Sequence, residues 1–75
     1  MNYLSTLNYG YRILKSNNII SHKLDSELLL ASALNKTREE VLTNLNSTLD
    51  KKKFYKFKKL LLRREQKEPI AYIFE

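Results

Sequence analysis

Leu24-Asp25-Ser26-Glu27-Leu28-Leu29-Leu30-Ala31-Ser32-Ala33-Leu34 is the stretch whose reading decides the fold. Wound at 3.6 residues per turn, Leu24, Leu28, Ala31 and Leu34 align as one apolar stripe, and Leu29, Leu30 and Ala33 carry apolar surface onto its flanks. Only Asp25, Ser26, Glu27 and Ser32 offer a strip for water, so neighbouring segments must wrap this helix on most sides. The expected fold class is all-α, a small four- to five-helix bundle around this helix with a short β-prone C-terminal linker segment.

The chain has 75 residues, enough for one domain that removes about 60% of its unfolded surface from water. It has no cysteine, so neither a disulfide framework nor a thiolate metal site is available, and a reducing compartment is compatible with it. No apolar run reaches the roughly 18 residues of a membrane span, and the N-terminus lacks the basic and apolar regions of a secretory signal. The expectation is a soluble, cytoplasmic protein. With one Gly and one Pro in the whole chain, Gly10 alone does not supply a phosphate-cradling loop, which argues against a cofactor-dependent active site.

Before the central helix, Leu4, Leu7, Tyr11 and Leu14 recur at helical spacing, giving a helix from Tyr3 to about Ser16 capped by Ser5 or Asn2. Gly10 inside it lowers helix propensity by about 1 kcal/mol, which close approach of another helix backbone would explain. Tyr3, Tyr9 and Tyr11 fit amphipathic packing better than a base-stacking surface. Asn17-Asn18 ends the helix, Ile19 and Ile20 return to the core, and Ser21 caps the central helix. His22, the single histidine, lacks a second ligand and reads as a helix-start residue.

After it, Thr37-Arg38-Glu39-Glu40 matches a capping box for a short helix running to about Asn44, with Val41, Leu42 and Leu45 inward. Glu39 and Glu40 read as first-turn charges rather than as an acid and base pair. Asp50 caps the longest helix, with Leu49 and Phe54 at staple spacing and Phe54, Phe57 and Leu61 on its apolar stripe, flanked by Leu60 and Leu62. Pro69 is expected to stop that helix at Glu68. Ile70 to Phe74 is β-prone and reads as the start of a linker.

Charge is concentrated in the last helix. Residues 51–68 hold nine basic residues against two Glu, leaving the rest of the chain with a net charge of −1. Lys52, Lys56, Lys59 and Arg63 line the side opposite the apolar stripe, as a solvated face or a contact for an acidic partner. Asp25 and Arg64 invite a structural ion pair between the central and last helices.

Leu24 to Ala31, Leu60-Leu61-Leu62-Arg63-Arg64 and Glu68-Pro69-Ile70-Ala71-Tyr72-Ile73, in this order and spacing, resemble the N-terminal domain of the HemK/PrmC protein-glutamine methyltransferases. The resemblance implies a helical bundle joined by a β-hairpin linker to a Rossmann-like domain that uses S-adenosylmethionine. That domain methylates the glutamine amide in the Gly-Gly-Gln loop of class I peptide chain release factors. Family-motif positions carried onto this chain are Asp25, Glu27, Leu28, Leu29, Arg64, Glu68, Pro69 and Tyr72, all structural. The family's Asn-Pro-Pro-Tyr motif and glycine-rich cofactor loop do not occur in these 75 residues, so no catalytic, cofactor-binding or metal-binding residue is assigned here. Residues 1–68 then form the bundle and 69–75 begin an interdomain linker, the catalytic domain lying outside this sequence. Two positions depart from the family: Glu75 stands where Gly is usual in the hairpin turn, and His22 where many members carry Pro.

The function this implies is non-catalytic recognition of a release factor, with Lys52, Lys56, Lys59 and Arg63 as candidate contacts. The expected partners are the release factor and the chain's own catalytic domain, with no membrane. A basic helical nucleic-acid-binding domain is the rival, supported by the charge and by a turn at Leu34 to Arg38 reminiscent of a helix-turn-helix. Against it, the exposed side of the basic helix carries no Asn or Gln to read bases, so no specific nucleic acid is expected. A third reading is an inactive fragment of a disrupted gene.

Overall fold

Among the described residues five helices follow in order: α1 (Tyr3–Ser16), α2 (His22–Leu34), α3 (Arg38–Leu42), α4 (Lys51–Glu65) and α5 (Ile70–Ile73). The structure is a computed structural model and describes residues 1–74. The hairpin-turn expectation at Glu75 lies outside the described residues.

Local chemistry sets most helix ends. Asn2 Oδ1 accepts the Ser5 N–H at 2.8 Å while Ser5 Oγ accepts the Asn2 N–H at 3.2 Å, so both expected cap residues share one reciprocal box. The next free amides of α1, on Tyr3 and Leu4, donate to the carbonyls of Ser47 and Leu45 at 2.9 and 3.0 Å. The loop before α4 therefore satisfies donors that a helix start leaves open. Thr37 and Glu40 form the expected box on α3, and Asp50 Oδ1 accepts the Lys53 N–H at 2.8 Å to start α4. Ser21 departs from expectation: it precedes α2 but makes no side-chain cap, its hydroxyl donating instead to Asp25 Oδ2 at 2.8 Å.

Helix α2 sits against α1, α3 and α4, as its apolar content requires. Its orientation, however, is rotated from the sequence expectation, with Ala31 alone of the expected stripe buried. Leu29, Leu30 and Ala33, read as flanks, are fully buried, whereas Leu24 is 46% exposed and Leu28 and Leu34 are half-buried. Asp25, Ser26 and Glu27, read as the solvent strip, are buried. The helix is turned this way because arginines of its neighbours meet the two carboxylates, so the charged edge is accommodated inside the bundle. Ile19 enters the core, but Ile20 is 96% exposed and does not.

Gly10 lies at the crossing of α1, α2 and α4. A Cβ built there would stand 2.9 Å from Phe57 Cζ and 2.9 Å from Ser26 Oγ, so the close approach is by side chains rather than by helix backbone. Phe57, Leu7, Leu14 and Leu61 fill the core around this contact. Ser26 Oγ is buried there without a hydrogen-bond partner.

The C-terminal part differs most. Helix α4 stops at Glu65, three residues before the expected end, because Lys67 turns left-handed at φ 69° and the Glu68 N–H returns to the Arg63 carbonyl at 3.2 Å. The β-prone stretch then forms the single turn of α5, with the Pro69 carbonyl accepting from Tyr72 and Ile73 at 3.0 and 3.3 Å. No neighbouring strand offers it a ladder, and the helical turn seats Ile73 in the core at 5% exposure. Among the described residues the only extended pairing is an isolated bridge between Asn2 and Thr48.

Thermal unfolding followed by circular dichroism should show Leu24→Ala within about 0.5 kcal/mol of the parent and Leu29→Ala destabilised by about 2–5 kcal/mol, reversing the order expected from the stripe. Gly10→Ala should lower stability by about 1–2 kcal/mol, overpacking outweighing the gain in helix propensity.

Candidate functional site

Two ion-paired networks fix how the helices present their outer surfaces. Arg64 Nε on α4 donates to Asp25 Oδ2 on α2 at 2.8 Å, with side-chain exposures of 19% and 6%. Arg64 Nη1 also donates to the Glu68 carbonyl at 3.1 Å, and Arg63 pairs with the Glu68 carboxylate. Asp25, Arg64 and Glu68 are thus brought together, with Pro69 directly following as the N-cap of α5. On the other side of α2, Glu27 accepts from the Tyr11 hydroxyl of α1 and from Arg38 Nε of α3, each at 2.8 Å. Sequence reading named Glu27 but missed Tyr11 and Arg38, whose only signal is an unmatched acid on a helix that must be wrapped.

Burial, the hydrogen bond to Glu27 and the Glu27 charge raise the Tyr11 pKa well above that of a free phenol. The Glu40 carboxyl is held below its ordinary range, chiefly by the Thr37 backbone N–H it accepts.

The expected contact residues Lys52, Lys56, Lys59 and Arg63 are all exposed and follow one another along one face of α4. They are not equivalent. Arg63 is held by Glu68 and lies 3.4 Å from the Tyr72 carbonyl, and Lys59 Nζ sits 5.2 Å from the Tyr55 ring centre. Of the motif positions, Leu29 is in the core, Leu28 is half-buried and Tyr72 is 58% exposed.

Next to this stripe, α1 and α4 enclose a shallow groove of about 340 Å³ whose apolar walls are Tyr9, Ile13, Tyr55 and Leu62. Sequence reading assigned Leu62 to core support and Tyr55 to nothing, yet both are largely exposed, at 51% and 62%. Lys58, Lys59 and Glu65 also line the groove, so its apolar walls adjoin two cations and one carboxylate. Among the described residues no three His, Cys, Asp or Glu come together to hold a metal ion, and no helix is long and apolar enough to cross a membrane.

Asp25 and Glu27 turned inward, lysines turned outward and a groove between two helices are the features of this small all-α domain. A family model described as the PrmC N-terminal domain matches residues 5–74, and the chain belongs to that family. It is similar to a release factor glutamine methyltransferase of Clostridium botulinum, 38% identical over 64 residues, which cover 85% of this chain and 23% of the relative. It is also similar to proteins named bifunctional methyltransferase from Rickettsia conorii and Rickettsia felis. Each is 44% identical over 55 residues, covering 73% of this chain and 10% of the relative. The chain thus spans less than a quarter of the length of each of these relatives. No solved structure matches it.

Truncating one partner of the inner pair leaves a charge with little access to water. Asp25→Ala or Arg64→Ala should each lower stability by about 2–4 kcal/mol, and Arg64→Lys should restore only part of it, since a lysine has no fork to bridge Asp25 and the Glu68 carbonyl. Because the Tyr11 pKa is raised in the folded state, its contribution is fully present below the ordinary phenol value of 10.0 and is lost as pH rises beyond it. Chemical denaturation across alkaline pH should show stability falling above that point, and Tyr11→Phe should flatten the fall while lowering neutral-pH stability by about 1 kcal/mol.

Proposed function

We propose that this domain recognises the protein substrate of a release factor glutamine methyltransferase and takes no part in the methyl transfer. The observation that carries the proposal is the segregation of charge: Asp25 and Glu27 are drawn into the bundle, and Lys52, Lys56 and Lys59 are left exposed along α4. A one-signed face of this kind accelerates encounter with an acidic protein surface and favours one docking orientation. Family membership and the name of the Clostridium botulinum relative support a release factor as partner, and the proposal takes it to be of class I.

On this reading the reaction is S-adenosylmethionine-dependent N5-methylation of the glutamine in the Gly-Gly-Gln motif, carried by a catalytic domain outside these 75 residues. Docking remote from the reacting amide supplies binding energy that the catalytic domain converts into orientation. Release factors work in the cytoplasm, and the proposal places the chain there.

Surface plasmon resonance against an immobilised class I release factor tests this. Lys52→Glu/Lys56→Glu should slow association by about tenfold at low salt, with the difference collapsing at roughly 0.5 M salt. In a parallel assay the 75-residue chain should transfer no methyl group from S-adenosylmethionine. Absence of binding by the parent chain, or methyl incorporation by it, overturns the proposal.

A further inference from the structure

We infer that the groove between α1 and α4 is the seat of one apolar side chain from an acidic segment of the protein partner, with Tyr55 and Leu62 as its anchors. The inference rests on the recognition function proposed above and adds where the partner's anchoring residue goes. A tyrosine and a leucine side chain more than half exposed on a helix with eight basic residues contribute little to the bundle's own packing. They lie two turns apart on the side of α4 that faces Tyr9 and Ile13, so the groove has walls from two helices.

Charge decides the occupant. Lys59 belongs both to the groove and to the stripe formed with Lys52 and Lys56, and Lys58 borders the groove beside it. With Glu65 the rim is mixed but net positive, and an apolar centre inside such a rim is the pattern of an interface whose affinity comes from a desolvated anchor and whose orientation comes from charge. An acidic segment satisfies both parts at once. A second copy of this chain would set the Lys58, Lys59 and Glu65 rim and the neighbouring Lys52 and Lys56 against their own like, a net repulsion. A nucleic acid would use the cations and leave Leu62 without a function, since an aliphatic side chain offers no stacking face.

The probes are a Glu-rich synthetic peptide with one central Leu and the same peptide with Ala in that place, titrated into the isotopically labelled full chain. The Leu peptide should shift the amide signals of Ile13, Tyr55 and Leu62 and bind about tenfold more tightly than the Ala peptide. Tyr55→Ser/Leu62→Ser, two exposed positions whose replacement leaves the core intact, should abolish that preference. Lys52→Glu/Lys56→Glu should weaken both peptides equally and keep it. Equal binding of the two peptides, a preference that survives the serine variant, or a self-association that the serine variant dissolves would each overturn the inference. A duplex oligonucleotide that shifts the same groove signals would do so too.

The same variants separate this inference from the proposed function. If the release factor binds the parent and the serine variant alike, the groove is not the seat and the recognition function stands. If the Leu peptide seats in the groove and the release factor does not bind, the partner is wrong and the groove remains a site for an acidic ligand.

Discussion

Two carboxylates on an otherwise apolar helix are the constraint on which the rest of the structure depends. Asp25 and Glu27 stand on α2, which α1, α3 and α4 surround, and neither can be buried unless a cation or a hydroxyl reaches it. Arg64 reaches one from α4, while Arg38 of α3 and Tyr11 of α1 reach the other. Every helix that covers α2 thus delivers a polar group to it. Apolar packing alone would let a leucine-rich helix rotate among several similar seats, and the paired acids leave one.

That constraint also explains what the sequence revealed and what it hid. The first four helices, the Asn2, Thr37 and Asp50 starts and the Asp25–Arg64 link were legible because each depends on residues a few positions apart or on one evident charge match. The rotation of α2 was not legible. Its leucines occupy so much of the circumference that the pattern gives no preferred face, and the polar residues that should mark the outside mark the inside. Lys67 hid the end of α4, since nothing in a lysine signals a left-handed turn. Ile70 to Ile73 misled in the other direction, for β-branched and aromatic residues follow the partner they find, and here the partner is a helix.

Of the candidate site, the basic stripe was visible as periodicity, and the groove beside it was not. Leu62 read as support for the apolar stripe and Tyr55 had no assigned place, and only the packing of α1 against α4 shows that both lie past the edge of the core. Arg63 shows the opposite error: it has the spacing of the exposed lysines but is engaged by Glu68. Spacing identifies a face, and only tertiary structure tells which members of that face are free to meet something else.

The chain's single glycine is spent in a crowded crossing, so its corners are turned by Asn18, Asn35 and Lys67, all with positive φ. At the last of these the residue does more than bend the backbone: the Lys67 ammonium reaches the Asn17 carbonyl at the end of α1. A cation at that place complements the negative end of α1. It also fastens the tails of two helices that are far apart along the chain, so fraying at one tail releases the other. The corner behaves as a clasp between the ends of the first and fourth helices.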